Sequence, residues 1–418
     1  MKLLFLIADG MGGWPGEMPG NKTCLEAAVT PNMDALAATG EVGVCQTIPQ
    51  GMPPGSDVAN MSLLGFNPAL HHTGRGPIEA AAQGLRLAPD DLVWRLNLVS
   101  VSELSPSGRM LDYSSGHITT EASEPLVRDL QERLGDETFQ FHPGVQYRHL
   151  LVHKDGALDY EAGLKISPPH DITGKSLHAD LREFSRCARM WDLLFQAEER
   201  LAETARGTKA NSIWPWGQGR PLLLPGFKET FGRVGAVISA VDLVRGLGRA
   251  AGMEVIEVPG ATGLIDTNYQ GKVDAALKFL EHGDFAFVHL EGPDECGHAG
   301  NAAEKTEAIS RFDARIVGPL RQALAGQDKG QDRGQDVAFV ITCDHFTPIA
   351  EKTHTPDAVP FLLWHPGCEP TDGKLSGCVP SGLSAFSEAQ ARSTGLVIES
   401  GHELLAWTLR QLERRLEP

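Results

Sequence analysis

The chain has 418 residues, 41% of them hydrophobic, so it carries ample apolar material for a packed core and disorder is excluded. Lys and Arg total 37 against 54 Asp and Glu, a formal net charge of −17 that repels nucleic acid and anionic lipid at long range. Neither a nucleic acid nor a membrane is an expected partner, and the oligomeric state is left open.

The first element is the apolar run Lys2 to Ala8 (KLLFLIA), read as a strand covered on both faces and ended by Asp9. Its apolar stretch is too short for a signal-peptide core or a bilayer span, so a cytoplasmic protein is expected. Next, Pro53 to Asn60 (PPGSDVAN) forms a rigid turn that presents Ser56 ahead of a helix-compatible stretch. A hydroxyl there is an ordinary N-cap. With a metal touching it and helix N–H groups facing an incoming phosphoryl group, it is instead a nucleophile. Between about 75 and 190 the texture changes to shorter alternating stretches, Leu92 to Val101 and Arg148 to His153, which predict a smaller inserted α+β domain with a more antiparallel sheet. Gly74-Arg75-Gly76 lacks the strand-loop-helix spacing of a nucleotide-binding loop. Helical spacing without Pro or Gly predicts one long helix over Leu177 to Ala205, and Trp214 and Trp216 read as packing residues.

Two further buried strands follow, Phe285 to Leu290 (FAFVHL) and Val337 to Thr342 (VAFVIT), separated by a polar surface loop at Gly326 to Asp336. The alternation of strands with helical stretches predicts an α/β fold with a mostly parallel central sheet flanked by helices. Ligands gather beyond the carboxyl ends of parallel strands, so Asp9, the segment Glu291 to His298, and Asp344 with His345 are expected in one crevice. The seven cysteines are odd in number and scattered, without paired CxxC spacing, and are expected as reduced thiols.

Three groups can carry chemistry. Asp294 and His298 form an Asp-x-x-x-His that can fold onto a cation such as Zn²⁺ or Mn²⁺, or is simply a solvated acid with a hydrogen-bonded histidine. Asp344-His345 at a strand end, with His354 ten positions on, makes two neighbouring metal sites feasible, or a structural cluster. Ser56 is the third. Cys296, between two candidate ligands, is not read as a ligand.

The order Asp…Ser…Asp-x-x-x-His…Asp-His…His resembles the alkaline phosphatase superfamily and, within it, the archaeal-type branch of the cofactor-independent phosphoglycerate mutases. The blocks LIADGMG, KTCLEAAVTPNMDALA, PPGSDVANMSLLG, TGRGPIEA, YRHLLV, PHDITGK, PGATGLIDTNY, LEGPDECGHAGN, CDHFTP and HTPDAVPFLL carry the likeness along nearly the whole chain. The resemblance implies an alkaline-phosphatase-like core over 1–72 and 190–418, and an inserted substrate-covering domain over 73–189. It implies two divalent ions, Mn²⁺ or Zn²⁺ with Co²⁺ or Mg²⁺ as alternatives, about 4 Å apart. One ion falls to Asp9, Ser56, Asp344 and His345, with Ser56 the residue phosphorylated, and the other to Asp294, His298 and His354. The substrate is a small phosphate ester, with Arg75, Arg148, His170 and Asp171 as candidates to bind it. Lys272 is a weaker candidate.

The implied reaction interconverts 3-phosphoglycerate and 2-phosphoglycerate through a phosphoserine. One departure bears on the acceptor: the archaeal pattern reads GSDTAHLS, whereas this chain reads GSDVANMS with Asn60 in place of the histidine. A homoserine kinase-like phosphotransferase and a metal-dependent phosphohydrolase are the alternatives. A sulfatase lacks its Cys/Ser-x-Pro-x-Arg context here, and a non-catalytic binder conflicts with the complete ligand set.

Overall fold

The computed structural model describes residues 1–156, 160–325, 337–368 and 381–413. The chain divides into two compact units, Met1–His72 with Leu223–Pro418, and Thr73–Leu222. In chain order the strands are β1 (Lys2–Ala8), β2 (Glu41–Cys45), β3 (Leu92–Val101), β4 (Met110–Asp112), β5 (Phe139–His142), β6 (Arg148–His153), β7 (Ser212–Gly219), β8 (Gly235–Ile238), β9 (Glu254–Ile256), β10 (Phe285–Leu290), β11 (Val337–Thr342), β12 (Val359–Trp364) and β13 (Val397–Ile398).

The discontinuous unit holds an eight-stranded sheet in the order β13-β2-β12-β11-β1-β10-β8-β9. Its centre is parallel: Leu3 pairs with Phe285 of β10 on one side and Ala338 of β11 on the other. Only β12 runs antiparallel to its neighbours. From Leu3 to Ala8 every residue of β1 is buried, which is why the sequence shows an unbroken apolar run rather than alternation. The rings of Phe5 and Phe287 stack at 5.7 Å between centroids, and each such buried side chain contributes about 1.5–3 kcal/mol. In this register Ala8 lies beside Leu290 and Ile7 beside Thr342, so the three strands end level and their following residues emerge together.

The Thr73–Leu222 unit holds an antiparallel five-stranded sheet in the order β4-β3-β6-β5, with β7 on the other side of β3. All ten residues of β3 are buried. The alternation seen in its sequence therefore does not separate core from solvent. Leu92, Trp94, Leu96 and Leu98 enter one apolar cluster, while Val93 joins Ala80, Leu150 and Val152 in another.

Three expectations are corrected. The long helix over 177–205 is two helices, His178–Phe184 and Ala188–Thr204. Cys187 breaks it: its backbone is extended (φ −117°, ψ 104°), and its Sγ accepts from Met190 N while donating to Glu161 Oε1 at 2.6 Å. The second unit also runs to Leu222 rather than 189, because β7 pairs with β3 along most of its length. Finally, Cys368 is disulfide-bonded rather than reduced, since spacing along the chain does not say which thiols meet in space. Cys24, Cys45, Cys187, Cys296 and Cys343 are free. The loop expected at 326–336 lies outside the described residues. Among the described residues, no helix is long and apolar enough to cross a membrane.

Candidate paired-cation site at the strand ends

Asp9 follows β1 directly, and its N–H donates to Leu290 O, which fixes the loop against β10. The loop after β11 supplies Asp344 and His345. Asp344 Oδ1 accepts from Gly10 N (3.1 Å) and His345 N (2.9 Å), and Oδ2 accepts from Asn60 Nδ2 (2.9 Å). Asp9, Asp344 and His345 are fully buried and their ligand atoms form one group within 4.8 Å.

The helix Gly292–Ala299, opening just beyond β10, places Asp294 and His298 one turn apart on one face. His298 Nε2 lies 3.1 Å from Asp294 Oδ2 and 3.0 Å from His354 Nε2, making a second group. The His345 and His354 rings have centroids 4.1 Å apart, so the two groups adjoin. Ser56 begins the helix Ser56–Leu63, and its Oγ is 3.1 Å from His345 Nε2. The structure thus brings Asp9, Ser56, Asp294, His298, Asp344, His345 and His354 into one place.

The electrostatics fit cations at both groups. Burial, then Asp344 and Asp294, raise the Asp9 pKa well above the usual carboxylate range. Asp9 Oδ1 is buried and accepts no hydrogen bond, an orphaned oxygen that a cation satisfies. For Asp294, burial opposes the charge, but hydrogen bonds to His298 and His354 outweigh it and hold the carboxyl well below its usual range. Burial likewise opposes charge on His298, yet Asp294 carries its pKa up to about 9, so a proton occupies a place where a cation can stand. His298 Nδ1 donates to Lys352 O at 2.9 Å, so a cation that displaces the Nε2 proton meets the Nε2 lone pair. Carboxylates and imidazoles of this kind suit Zn²⁺ or Mn²⁺.

The sequence did not flag His289, the lone polar residue facing inward from β10. Its Nε2 donates to Asp9 Oδ2 at 3.0 Å, and its Nδ1 faces Ser239 Oγ at 3.3 Å. Burial depresses its pKa to about 3, so the ring is neutral. Lys272 is buried and donates from Nζ to His289 O at 2.6 Å, supporting the strand from behind. A histidine interrupting an otherwise apolar strand was the available signal. Cys296 is buried and stands outside both groups.

The other candidates lie on the Thr73–Leu222 unit. Arg75 opens the helix Arg75–Ala82 and Arg148 opens β6. Both are near Arg95, which sequence reading missed: burial pushes its guanidinium below the usual value, Glu79 opposes this, and the charges of Arg75 and Arg148 add to it. Arg95 lies 4.5 Å over the Trp216 ring and pairs with Glu79 at 3.0 Å. The exposed His170 ring faces Trp216 and Tyr113, with Asp171 3.7 Å from its Nε2.

Fold and site together define an α/β protein with two adjoining candidate cation groups beside a serine at a helix start. Residues 37–206 match the family described as 2,3-bisphosphoglycerate-independent phosphoglycerate mutase. A Geobacter sulfurreducens protein named probable 2,3-bisphosphoglycerate-independent phosphoglycerate mutase is 44% identical, covering 98% of this chain and all of its own length. The Methanosarcina barkeri mutase is 42% identical over 97% of this chain and 98% of its own. Among solved structures, a Pyrococcus horikoshii protein superposes with a TM-score of 0.77 at 27% identity, covering 99% of this chain and 97% of that one. The cofactor-independent phosphoglycerate mutase of Thermoplasma acidophilum gives 0.62 at 25%, covering 98% and 99%. The chain therefore belongs to the 2,3-bisphosphoglycerate-independent phosphoglycerate mutase family, a family of enzymes.

Proposed function

We propose that the chain interconverts 3-phosphoglycerate and 2-phosphoglycerate through a phosphoserine at Ser56, with one divalent cation held by Asp9, Ser56, Asp344 and His345 and a second by Asp294, His298 and His354. The observation that carries this reading is Ser56 Oγ standing 3.1 Å from His345 Nε2 where the two groups adjoin. When bound, such cations, Mn²⁺ or Zn²⁺ with Co²⁺ or Mg²⁺ as alternatives, offset the negative charge of the phosphoryl group and of the attacking and leaving oxygens.

The chain's own residues do the rest. Ser56 Oγ attacks phosphorus: the Oγ–P bond forms, the bond to the 3-oxygen breaks, and that oxygen takes up the serine's proton. The N–H groups of the opening helix turn favour the arriving phosphoryl group. Glycerate is retained and reorients, and its 2-hydroxyl takes the phosphoryl group while its proton returns to Ser56. The reaction is an isomerisation, so atoms balance without a co-reactant. Arg75, Arg148, His170 and Asp171 are the residues read as binding the substrate, with the two guanidinium groups matching its carboxylate and phosphate in two-pronged fashion. The Met1–His72 and Leu223–Pro418 unit is read as an alkaline-phosphatase-like core, and Thr73–Leu222 as the insertion that covers the substrate and keeps water from the phosphoenzyme.

Asn60 favours a second reading. Its amide can donate to Ser56 O (2.9 Å) and Asp344 Oδ2 but cannot exchange a proton as an imidazole does. A homoserine kinase-like phosphotransferase accommodates that difference. Ser56→Ala tests the main reading: transfer between the two phosphoglycerates should vanish while bound cation per chain stays nearly unchanged, and normal turnover in the variant refutes the role. Homoserine with a phosphoryl donor, assayed beside 3-phosphoglycerate with inorganic phosphate followed, separates the kinase and phosphohydrolase alternatives.

A further inference from the structure

Thr347 lies three positions beyond Asp344, is fully buried, and is not among the residues to which either cation is assigned above. Its Oγ1 is 2.5 Å from Asp294 Oδ1 and 3.2 Å from His345 Nδ1. One hydroxyl thus touches a member of each candidate cation group. Proton accounting fixes the direction of both bonds. An ionised carboxylate only accepts, so the single hydroxyl proton goes to Asp294, and Oγ1 must accept from His345 Nδ1–H. With its proton on Nδ1, His345 presents the Nε2 lone pair toward Asp9 Oδ1 at 3.5 Å and Ser56 Oγ at 3.1 Å.

The surroundings hold this side chain in place. A Cβ on Gly10 would lie 2.6 Å from Thr347 Oγ1, and one on Gly297 would lie 2.8 Å from Thr347 Cγ2. Two glycines, one in the loop after β1 and one in the helix Gly292–Ala299, therefore wall the slot that the threonine fills. Below it, the fully buried Lys305 donates from Nζ to Thr347 O at 2.8 Å and to Gly12 O at 2.9 Å. That ammonium ties together the loops following β1 and β11, the two loops that carry Asp9 and Asp344.

We infer that Thr347 is a positioning residue that couples the two cation groups, fixing the His345 ring and the Asp294 carboxylate through one hydroxyl, with Lys305 locking its backbone. The inference rests on the paired-cation reading. A purely steric role for Thr347 predicts that valine, of the same shape, serves equally well. A hydroxyl role predicts that valine fails and serine succeeds.

The test is calorimetric titration of the metal-stripped full-length enzyme with Mn²⁺, for wild type, Thr347→Val and Thr347→Ser, with the His345 tautomer read by ¹⁵N NMR of histidine-labelled protein. Wild type should take two ions. Thr347→Val should weaken both binding steps by roughly 10–100-fold, the usual effect of losing an outer partner of a ligand, and shift His345 away from the Nδ1–H form. Thr347→Ser should restore both properties to near wild type. If Thr347→Val binds two ions as wild type does, the coupling role is overturned while the paired-cation reading stands. If wild type takes up no Mn²⁺, both are overturned. Should the valine variant not fold, Thr347→Ala against Thr347→Ser supplies the same comparison, and equal Mn²⁺ affinity in those two overturns the inference.

Discussion

Replacing His289 by leucine isolates the hydrogen bond behind Asp9. The ring is fully buried and neutral, and its Nε2–H donates to Asp9 Oδ2 at 3.0 Å, leaving Oδ1 for a cation. A hydrogen bond to a charged group contributes about 1.5–3 kcal/mol, and leucine offers nothing in exchange. Taking about 2 kcal/mol, at about 1.4 kcal/mol per decade, His289→Leu should weaken cation binding about thirtyfold. The loss should be smaller in the cation-free protein. There burial, Asp344 and Asp294 raise the Asp9 pKa well above the usual range, so the charged carboxylate is disfavoured and the donor has less charge to stabilise. The assay is Mn²⁺ titration of stripped protein, paired with thermal unfolding with and without Mn²⁺. Mn²⁺ affinity within about twofold of wild type in the variant would refute the reasoning, because such a change amounts to less than about half a kcal/mol.

Gly10→Ala should abolish tight cation binding. Gly10 has φ +61°, and its added Cβ would lie 2.6 Å from Asp294 Oδ1 and Thr347 Oγ1, so left-handed strain of about 1–2 kcal/mol joins overpacking of about 1–3 kcal/mol. Bound metal per chain, measured after dialysis, checks it. Glu388 is buried, and burial lifts its pKa to about 7 against hydrogen bonds from Thr23 and Gly13. The raised value means the protonated acid favours the folded state: the contribution is complete below the ordinary glutamate range and is lost as pH rises through about 7. Glu388→Gln should therefore be more stable than wild type at pH 8 and differ little in acid, as read by urea unfolding of stripped protein across that range.

Much of the site was legible because buried parallel strands have a plain signature. β1, β10 and β11 are largely apolar runs, with His289 interrupting β10, and the charged residues at their ends were visible against that background. Asp9, Asp344 and His345 could be assigned to one crevice from that pattern alone, since parallel strands end level. The break at Cys187 was not legible, because it depends on Glu161, a residue of another element that draws the thiol out of helical geometry. The roles of Thr347 and Lys305 were hidden for the same reason. Each acts through a partner distant in sequence, and threonine or lysine within a chain of this composition carries no signal of burial. Arg95 was missed because a strand arginine reads as solvated unless its stacking on Trp216 and pairing with Glu79 are seen.

The central position of β1 has a consequence for biosynthesis. Leu3 waits for Phe285 on one side and Ala338 on the other, so this greasy segment must remain unpaired on both edges while most of the polypeptide is still being made. Such long-range closure slows folding and leaves an adhesive ribbon open to wrong partners. The nascent chain should accordingly depend on chaperone shelter until β11 arrives, and the arrival that completes the sheet is also the one that brings Asp344 and His345 to Asp9.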